Sequence, residues 1–297
     1  MKSAAATATE EKTPSLLGDV MELVKARLSF LVLITTLVGF LAAWRGPFGW
    51  VLLAATLVGT ALCAGGAAAL NQWWERGLDS RMKRTANRPL PAGRMQPLDA
   101  LLFGLLFSAA GIAILWLFAN PRAAFLAFAT IAIYILVYTP MKRMSSLNTL
   151  VGAIPGALPP LIGWVAARGQ YDLEGGLLFA ILWFWQMPHF LAIAWMYRDD
   201  YRDAGCVMLT ANDPEGHATS RQALLYTVCL LAASLMPWAM GFNTAAYFLG
   251  ALALGAAFTA LSVAFLVRRD RNSARTLFFA SILYLPLLLG LVVATQK

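Results

Sequence analysis

The sequence predicts an all-α membrane protein, a bundle of about nine transmembrane helices around a cavity open to the cytoplasmic side. Three observations carry this prediction. Of the 297 residues, 60% are hydrophobic and only 13% charged; the mean hydropathy is +0.66; and the apolar residues gather in span-length runs separated by basic clusters. Soluble domains carry about 25% charged residues. The chain therefore reads as a cytoplasmic N-terminal segment, 1–26, followed by a single transmembrane domain, 27–297.

The N-terminal segment holds Glu10, Glu11, Asp19 and Glu22 and lacks both an Arg-rich amphipathic pattern and an apolar stretch ending in a cleavage site. No removable targeting signal is expected there. The span-length criterion, roughly 17 to 25 apolar residues, then places helices near 28–44, 50–74, 98–118, 123–138 and 147–165. Four more fall near 175–197, 222–240, 245–266 and 277–294. The turn at Arg45-Gly46-Pro47 is short, whereas the loops at about 75–97 and 198–221 are long and polar, so chemistry is expected on their side. The fifth span contains Pro155, Pro159, Pro160, Gly152, Gly156 and Gly163. That composition bends helices and lets neighbours approach closely, as a packing kink or as a ligand contact. Cys63, Cys206 and Cys229 are odd in number and form no CxxC pair, so no disulfide framework is expected.

The connecting segments test the span count independently. Nineteen of the 23 Lys and Arg residues fall on one side, from Lys2, Lys12, Lys25 and Arg27 to Arg268, Arg269, Arg271 and Arg275. Arg45, Arg122, Arg168 and Lys297 fall on the other. Basic loops stay cytoplasmic, which puts the N-terminus inside and the C-terminus outside. The same distribution explains the net charge of +8 without nucleic acid, which is excluded as a partner.

Two acidic patterns carry chemistry. At the end of the second span, Asn71, Glu75 and Asp79 stand at i, i+4 and i+8, each step advancing about 40°, so three oxygen-bearing side chains share one helix face. Near the end of the sixth, Asp199 and Asp203 repeat the i, i+4 spacing, and Asp200 points about 100° away. Clustered carboxylates need a cation, and hard oxygen ligands beside a phosphate suit magnesium. The alternative for the second pattern is that Asp199, Asp200 and Asp203 pair with Arg198 and Arg202 on a solvated helix end. The first is harder to dismiss, because acidic residues beside a membrane span default to function.

Other elements are weaker alone. The stretch from Ser80 to Arg94 is a phosphate cradle or a lipid-facing decoration. Tyr138 and Lys142 lie one turn apart if Pro140 leaves the helix intact. Trp183, Phe184 and Trp185 shelter a cation or simply pack the bundle. His189 is a ligand contact or a hydrogen-bonded packing residue. His217, among loop charges, is assigned no role.

Together these segments resemble the UbiA-type intramembrane prenyltransferase superfamily over nearly the whole chain. Asn71, Glu75 and Asp79 match its first metal motif, Asn-x-x-x-Asp-x-x-x-Asp, with Glu75 departing from the usual aspartate; Asp199 and Asp203 match the second, and Tyr138 with Lys142 the Tyr-x-x-x-Lys element. The stretch Lys83-Arg84-Thr85-Ala86-Asn87-Arg88-Pro89-Leu90, the run Gly156-Ala157-Leu158-Pro159-Pro160 with Gly163-Trp164, and Trp185-Gln186-Met187-Pro188-His189-Phe190 are similar to its haem-prenylating branch.

That resemblance implies farnesyl diphosphate and haem B as substrates, Mg2+ as cofactor, and haem O and diphosphate as products. Asn71, Glu75, Asp79, Asp199 and Asp203 are then the implied metal ligands, and Arg84, Arg88, Tyr138 and Lys142 bind diphosphate. Asp79, Asp199 and Lys142 are the implied catalytic residues, and His189 binds haem. The implied setting is a bacterial plasma (inner) membrane, in contact with membrane lipid, with haem A synthase or terminal oxidase assembly as candidate recipients of the product. Two rivals remain: prenyl transfer to a quinone precursor such as a hydroxybenzoate, and a transporter.

Overall fold

The computed structural model describes residues 15–297. Lys2, Lys12, Glu10 and Glu11 of the expected cytoplasmic segment lie outside the described residues. A short helix, α1 (Leu16–Leu23), starts at Ser15, whose hydroxyl accepts the Gly18 N–H. Nine helices long and apolar enough to cross a membrane follow among the described residues. They begin with α2 (Ala26–Ala43), α3 (Trp50–Asp79) and α4 (Pro97–Ile114), which runs on through a π-helical turn, Leu115–Ala119. Next, α5 (Pro121–Ala132) continues through a second π-helical turn, Ile133–Tyr138, into a last turn, α6 (Thr139–Met141), so the three form one span. The chain then forms α7 (Asn148–Arg168), α8 (Leu173–Met196), the short α9 (Arg198–Asp203), α10 (His217–Ala239), α11 (Ala245–Arg268) and α12 (Arg271–Ala294). No strand is present among the described residues.

The span count and order agree with the sequence reading, and two boundaries differ in ways that matter. The second span runs to Asp79 rather than stopping at about 74. Its 30 residues measure about 45 Å, longer than a hydrocarbon core of about 30 Å. No Gly or Pro interrupts Asn71-Gln72-Trp73-Trp74-Glu75-Arg76, and the helix continues through the first acidic motif. The sixth span, in contrast, does not carry the second motif: the helix breaks at Tyr197 (φ −116°, ψ 25°), and α9 starts afresh as a separate polar turn.

The core is built mainly from α2 against α7, α3 against α4, and α8 and α11 around α10, with α12 packed on α8 and α11. The Pro- and Gly-rich α7 is one continuous helix with Pro155, Pro159 and Pro160 buried inside it. Its glycines serve packing. A Cβ on Gly163 would lie 1.9 Å from the Thr36 carbonyl oxygen, and one on Gly39 would lie 1.9 Å from that of Pro160. Two backbones thus touch where no side chain fits. Gly163→Val is expected to force α2 away from α7 and to destabilise the bundle by about 3 kcal/mol or more, at the upper end of overpacking costs. Thermal unfolding of the purified protein in detergent checks it; an unchanged midpoint would show that the contact is dispensable.

Alternation of the spans gathers the end of α3, Lys142, the start of α7, α9, the start of α10 and the α11–α12 turn at one end of the bundle. Tertiary contacts hold this end together: Arg94 pairs with Asp19 at 2.9 Å, the Val207 N–H donates to the Lys142 carbonyl at 2.8 Å, and Arg269 meets His217. At the other end Arg45 approaches Glu174, Arg168 approaches Asp172, and Gln296 donates to the Ala42 carbonyl. Cys63, Cys206 and Cys229 are all free thiols.

Candidate active site

The first acidic motif is buried at the basic end of the bundle. Asn71, Glu75 and Asp79 are 1%, 7% and 3% exposed, a setting in which two carboxylates persist only if opposite charge or hydrogen bonds compensate them. Two cations do so, and a third meets the neighbouring amide. Arg88 donates to Asp79 Oδ2 at 2.7 Å, Lys142 donates to Glu75 Oε2 at 2.8 Å, and Lys25 donates to Asn71 Oδ1 at 2.9 Å. The Asn71 amide in turn donates to Glu75 Oε2 and to the Thr139 hydroxyl.

Each cation arrives by a different route. The loop after α3 folds back on itself: the Thr85 hydroxyl donates to the Asp79 carbonyl at 2.8 Å, and Leu90 buries among Leu23, Ala69 and Ala100. That places Arg88 beside Asp79. Lys142 follows the π-helical turn, whose widened spiral stacks Tyr134 on Tyr138 with centroids 5.5 Å apart and sets the Lys142 ammonium 4.8 Å above the Tyr138 ring. Such turns often mark functional sites. Pro140 does not break the geometry: the Thr139 N–H before it still donates to the Tyr134 carbonyl, and the helix runs on into α6. Gly152 on α7 completes the seat, since a Cβ there would lie 2.5 Å from the Tyr138 ring.

Lys25 was visible in the sequence only as one of several N-terminal charges. It joins α1 to α2 in a left-handed backbone conformation, φ 48°, which aims its side chain at Asn71 and the Tyr134 hydroxyl. Burial, with Arg88 and Lys142 nearby, pulls its ammonium down to about 7. Burial also pulls on Lys142, but Tyr138, Glu75 and Tyr134 outweigh it and hold that ammonium above its usual value. The two lysines differ because Lys142 faces a carboxylate and Lys25 a neutral amide.

The second acidic motif sits beside the first without touching it. Leu78 and Met82 pack on Ala204 and Cys206, with Tyr201 and Met208 against them, which seats α9 against the end of α3. Its carboxylates turn outward: Asp199 and Asp203 are exposed, and both meet Arg202, at 2.9 and 3.7 Å. Asp200 is half-buried, one helical turn from the buried Ala204 and so on the inner side of α9. Arg84 is exposed near Tyr201. His189 and Trp185 form a separate group with α12, and Trp183 packs on Phe184 and Tyr226. His217 is exposed, near Glu215 and Arg269.

The donor set fits a hard cation. Asn71, Glu75 and Asp79 offer oxygen ligands, and the buried Glu75 Oε1 has only the Lys142 ammonium beside it, at 2.8 Å. Among the described residues no three His, Cys, Asp or Glu side chains converge. An ion here would therefore draw part of its coordination from substrate and water, as magnesium commonly does. A cleft of about 340 Å3 reaches Glu75 from between Trp74, Arg76, Pro140 and Arg143.

Comparison with known proteins adds to this geometry. The model of the UbiA prenyltransferase family matches residues 32–283. A protoheme IX farnesyltransferase of Solibacter usitatus is 44% identical over 283 residues, which span 92% of this chain and 97% of that protein. That of Opitutus terrae is 45% identical over 278 residues, 93% of this chain and 94% of its own length. The mitochondrial protoheme IX farnesyltransferase of Homo sapiens is 40% identical over 280 residues, 94% of this chain and 62% of its own length. Among solved structures, one of a digeranylgeranylglyceryl phosphate synthase aligns with a TM-score of 0.80 at 15% identity, covering 94% of this chain and 97% of the other. A UbiA homologue from Archaeoglobus fulgidus bound to GPP and Mg2+ aligns with a TM-score of 0.67 at 13% identity, covering 92% and 99%. At such identities these structures show a shared fold.

Proposed function

The chain belongs to the UbiA prenyltransferase family, and from that membership we propose that it transfers a farnesyl group from farnesyl diphosphate to a vinyl group of haem B, releasing diphosphate. The observation that carries this reading is the buried Asn71, Glu75 and Asp79 face matched by three cations, in a chain 44% identical to a protoheme IX farnesyltransferase over nearly its full length.

Magnesium at this face would neutralise charge on the leaving diphosphate and so ease cleavage of the allylic C–O bond. Asn71, Glu75 and Asp79 would hold it, with Asp199 and Asp203 of α9 as the second set of carboxylate ligands turned toward the ion. Lys142 and Arg88 compensate the carboxylates, and Lys25 donates to the Asn71 amide oxygen. With substrate present they, with Arg84 and the Tyr138 hydroxyl, donate to phosphate oxygens, where positive charge acts on the charge that develops during bond breaking. The buried surroundings keep water from the allylic cation. The haem vinyl captures that cation, and a water adds to the resulting cation on the adjacent carbon and passes its proton to the released diphosphate, giving the hydroxyethylfarnesyl group of haem O. His189 holds the haem.

The charge asymmetry supports a cytoplasmic position for the acidic face and its cavity, with the N-terminus inside and the C-terminus outside. Bacterial relatives support a plasma (inner) membrane location. Haem O would pass to haem A synthase or to terminal oxidase assembly.

An acceptor assay tests the proposal. Purified full-length protein with farnesyl diphosphate, Mg2+ and haem B is expected to yield haem O by chromatography and mass spectrometry. Prenylation of a hydroxybenzoate instead would overturn the acceptor assignment. Transmembrane flux of substrate without any chemical turnover would overturn the enzymatic reading.

A further inference from the structure

His189 lies on α8 away from the acidic face, and its surroundings specify which of its nitrogens is available. Nδ1 is 2.7 Å from the Ser281 hydroxyl on α12. Ser281 is fully buried, and its hydroxyl donates to the Phe278 carbonyl one turn back along α12. A serine hydroxyl has one hydrogen to give. With that hydrogen committed to Phe278, the Ser281 oxygen accepts from His189, so Nδ1 carries the imidazole proton and Nε2 carries the lone pair. Among the described residues nothing donates to Nε2.

The ring is also prevented from turning. Trp185 stacks on it at 4.9 Å and 25°, Phe278 covers it at 4.9 Å, and the Trp185 indole N–H donates to the Ser281 carbonyl at 2.7 Å. An imidazole flip would exchange the nitrogens only by prising these rings apart. Histidines that ligate metals are oriented in this way, with the second ring nitrogen donating to an oxygen that fixes the tautomer.

We propose that Ser281 is a positioning residue for the haem substrate, holding His189 as the Nδ1–H tautomer so that Nε2 is presented to the haem iron as an axial ligand. The inference rests on the haem reading of the preceding subsection and adds to it the atom that binds and the residue that aims it. Trp185 and Phe278 keep the ring in plane.

The test compares haem B with iron-free protoporphyrin IX, which has the same vinyl and propionate groups and no atom to ligate. Wild-type protein, Ser281→Ala, Ser281→Thr and His189→Ala are titrated with each porphyrin, by absorption for haem B and by fluorescence for protoporphyrin IX. Ser281→Ala is expected to weaken haem B binding about threefold to tenfold, the loss of one buried hydrogen bond, and to leave protoporphyrin IX binding unchanged. Ser281→Thr keeps the hydroxyl and is expected to restore haem B binding. His189→Ala is expected to lose the nitrogen-ligated haem spectrum while still binding protoporphyrin IX, which also reports that the variants are folded. If Ser281→Ala does not fold, Ser281→Cys, close in volume and a much weaker hydrogen-bonding group, replaces it. A Ser281→Ala titration identical to wild type would overturn the positioning role and leave the haem reading standing. An unchanged haem spectrum in His189→Ala would overturn ligation. If the wild type binds neither porphyrin, the haem reading fails and this inference falls with it.

Discussion

Asp79→Ala is expected to lower kcat/KM for farnesyl transfer by about 10^3-fold or more, the scale set by loss of a ligand that stabilises the leaving charge, while the protein stays folded in the membrane. Asp79 closes α3 and is 3% exposed, and its side chain has one strong partner, Arg88 at 2.7 Å. Its backbone carbonyl, not its side chain, anchors Thr85 and hence the loop. Removing the carboxylate therefore leaves the loop tied down. It strands Arg88, but that side chain is 18% exposed and can turn toward water, which spares much of the 3–5 kcal/mol cost, roughly, of breaking a fully buried pair. Asp79→Asn keeps the volume and is expected to be equally inactive. Product analysis beside size-exclusion and circular dichroism separates loss of chemistry from loss of fold. Asp199→Ala is expected to abolish turnover too, and with no effect on stability, since Asp199 is exposed and pairs only with Arg202. Near-normal activity in both Asp79→Ala and Asp199→Ala would defeat the metal–diphosphate clamp.

Lys25→Met is expected to lower kcat/KM by about 10^2-fold, the usual loss when one preorganised donor to a developing anion is removed. The direction of the stability change identifies the role. Lys25 faces the neutral Asn71 amide and the Tyr134 hydroxyl rather than a carboxylate, and burial, with Arg88 and Lys142 nearby, pulls its ammonium down to about 7. Such a group is held at an energetic cost, and relief of that cost offsets the loss of the donor to the buried Asn71 Oδ1, so an apolar replacement of similar length is expected to leave the unfolding midpoint nearly unchanged. Lower stability with retained turnover would mark Lys25 as scaffold. Lys25→Arg, which keeps the charge in a planar fork, is expected to recover only part of the activity because it does not reproduce a point charge at the same depth.

Much of this was legible in the linear sequence because it depends on local periodicity. A run of apolar residues spans the bilayer wherever its neighbours lie, and basic loops orient it. The i, i+4, i+8 spacing puts Asn71, Glu75 and Asp79 on one face of any helix that contains them, and the structure brings Lys142, Tyr138 and Arg88 to that face. Lys25 and Tyr134 had no such signal. Lys25 precedes Asn71 by 46 residues, Tyr134 follows Lys25 by 109, and a left-handed residue at a helix junction leaves no pattern that periodicity detects. The spacing of Asp199 and Asp203 was legible, but their environment was not. The chain breaks at Tyr197, and the residues just after α9 pack through Ala204 and Cys206 against Leu78 and Met82, a contact between segments far apart in the chain.

The sequence by itself therefore determined the membrane bundle, its span order, the end at which charge collects and the face that Asn71, Glu75 and Asp79 share. Each of these follows from hydrophobic run length, charge counting or helical pitch. Only the tertiary structure decided which cations meet that face, that Asp199 and Asp203 point outward, and that Ser281 meets the Nδ1 of His189. Those outcomes depend on contacts between helices distant in sequence, and helix pitch constrains neighbours along one element while packing alone selects partners across the bundle.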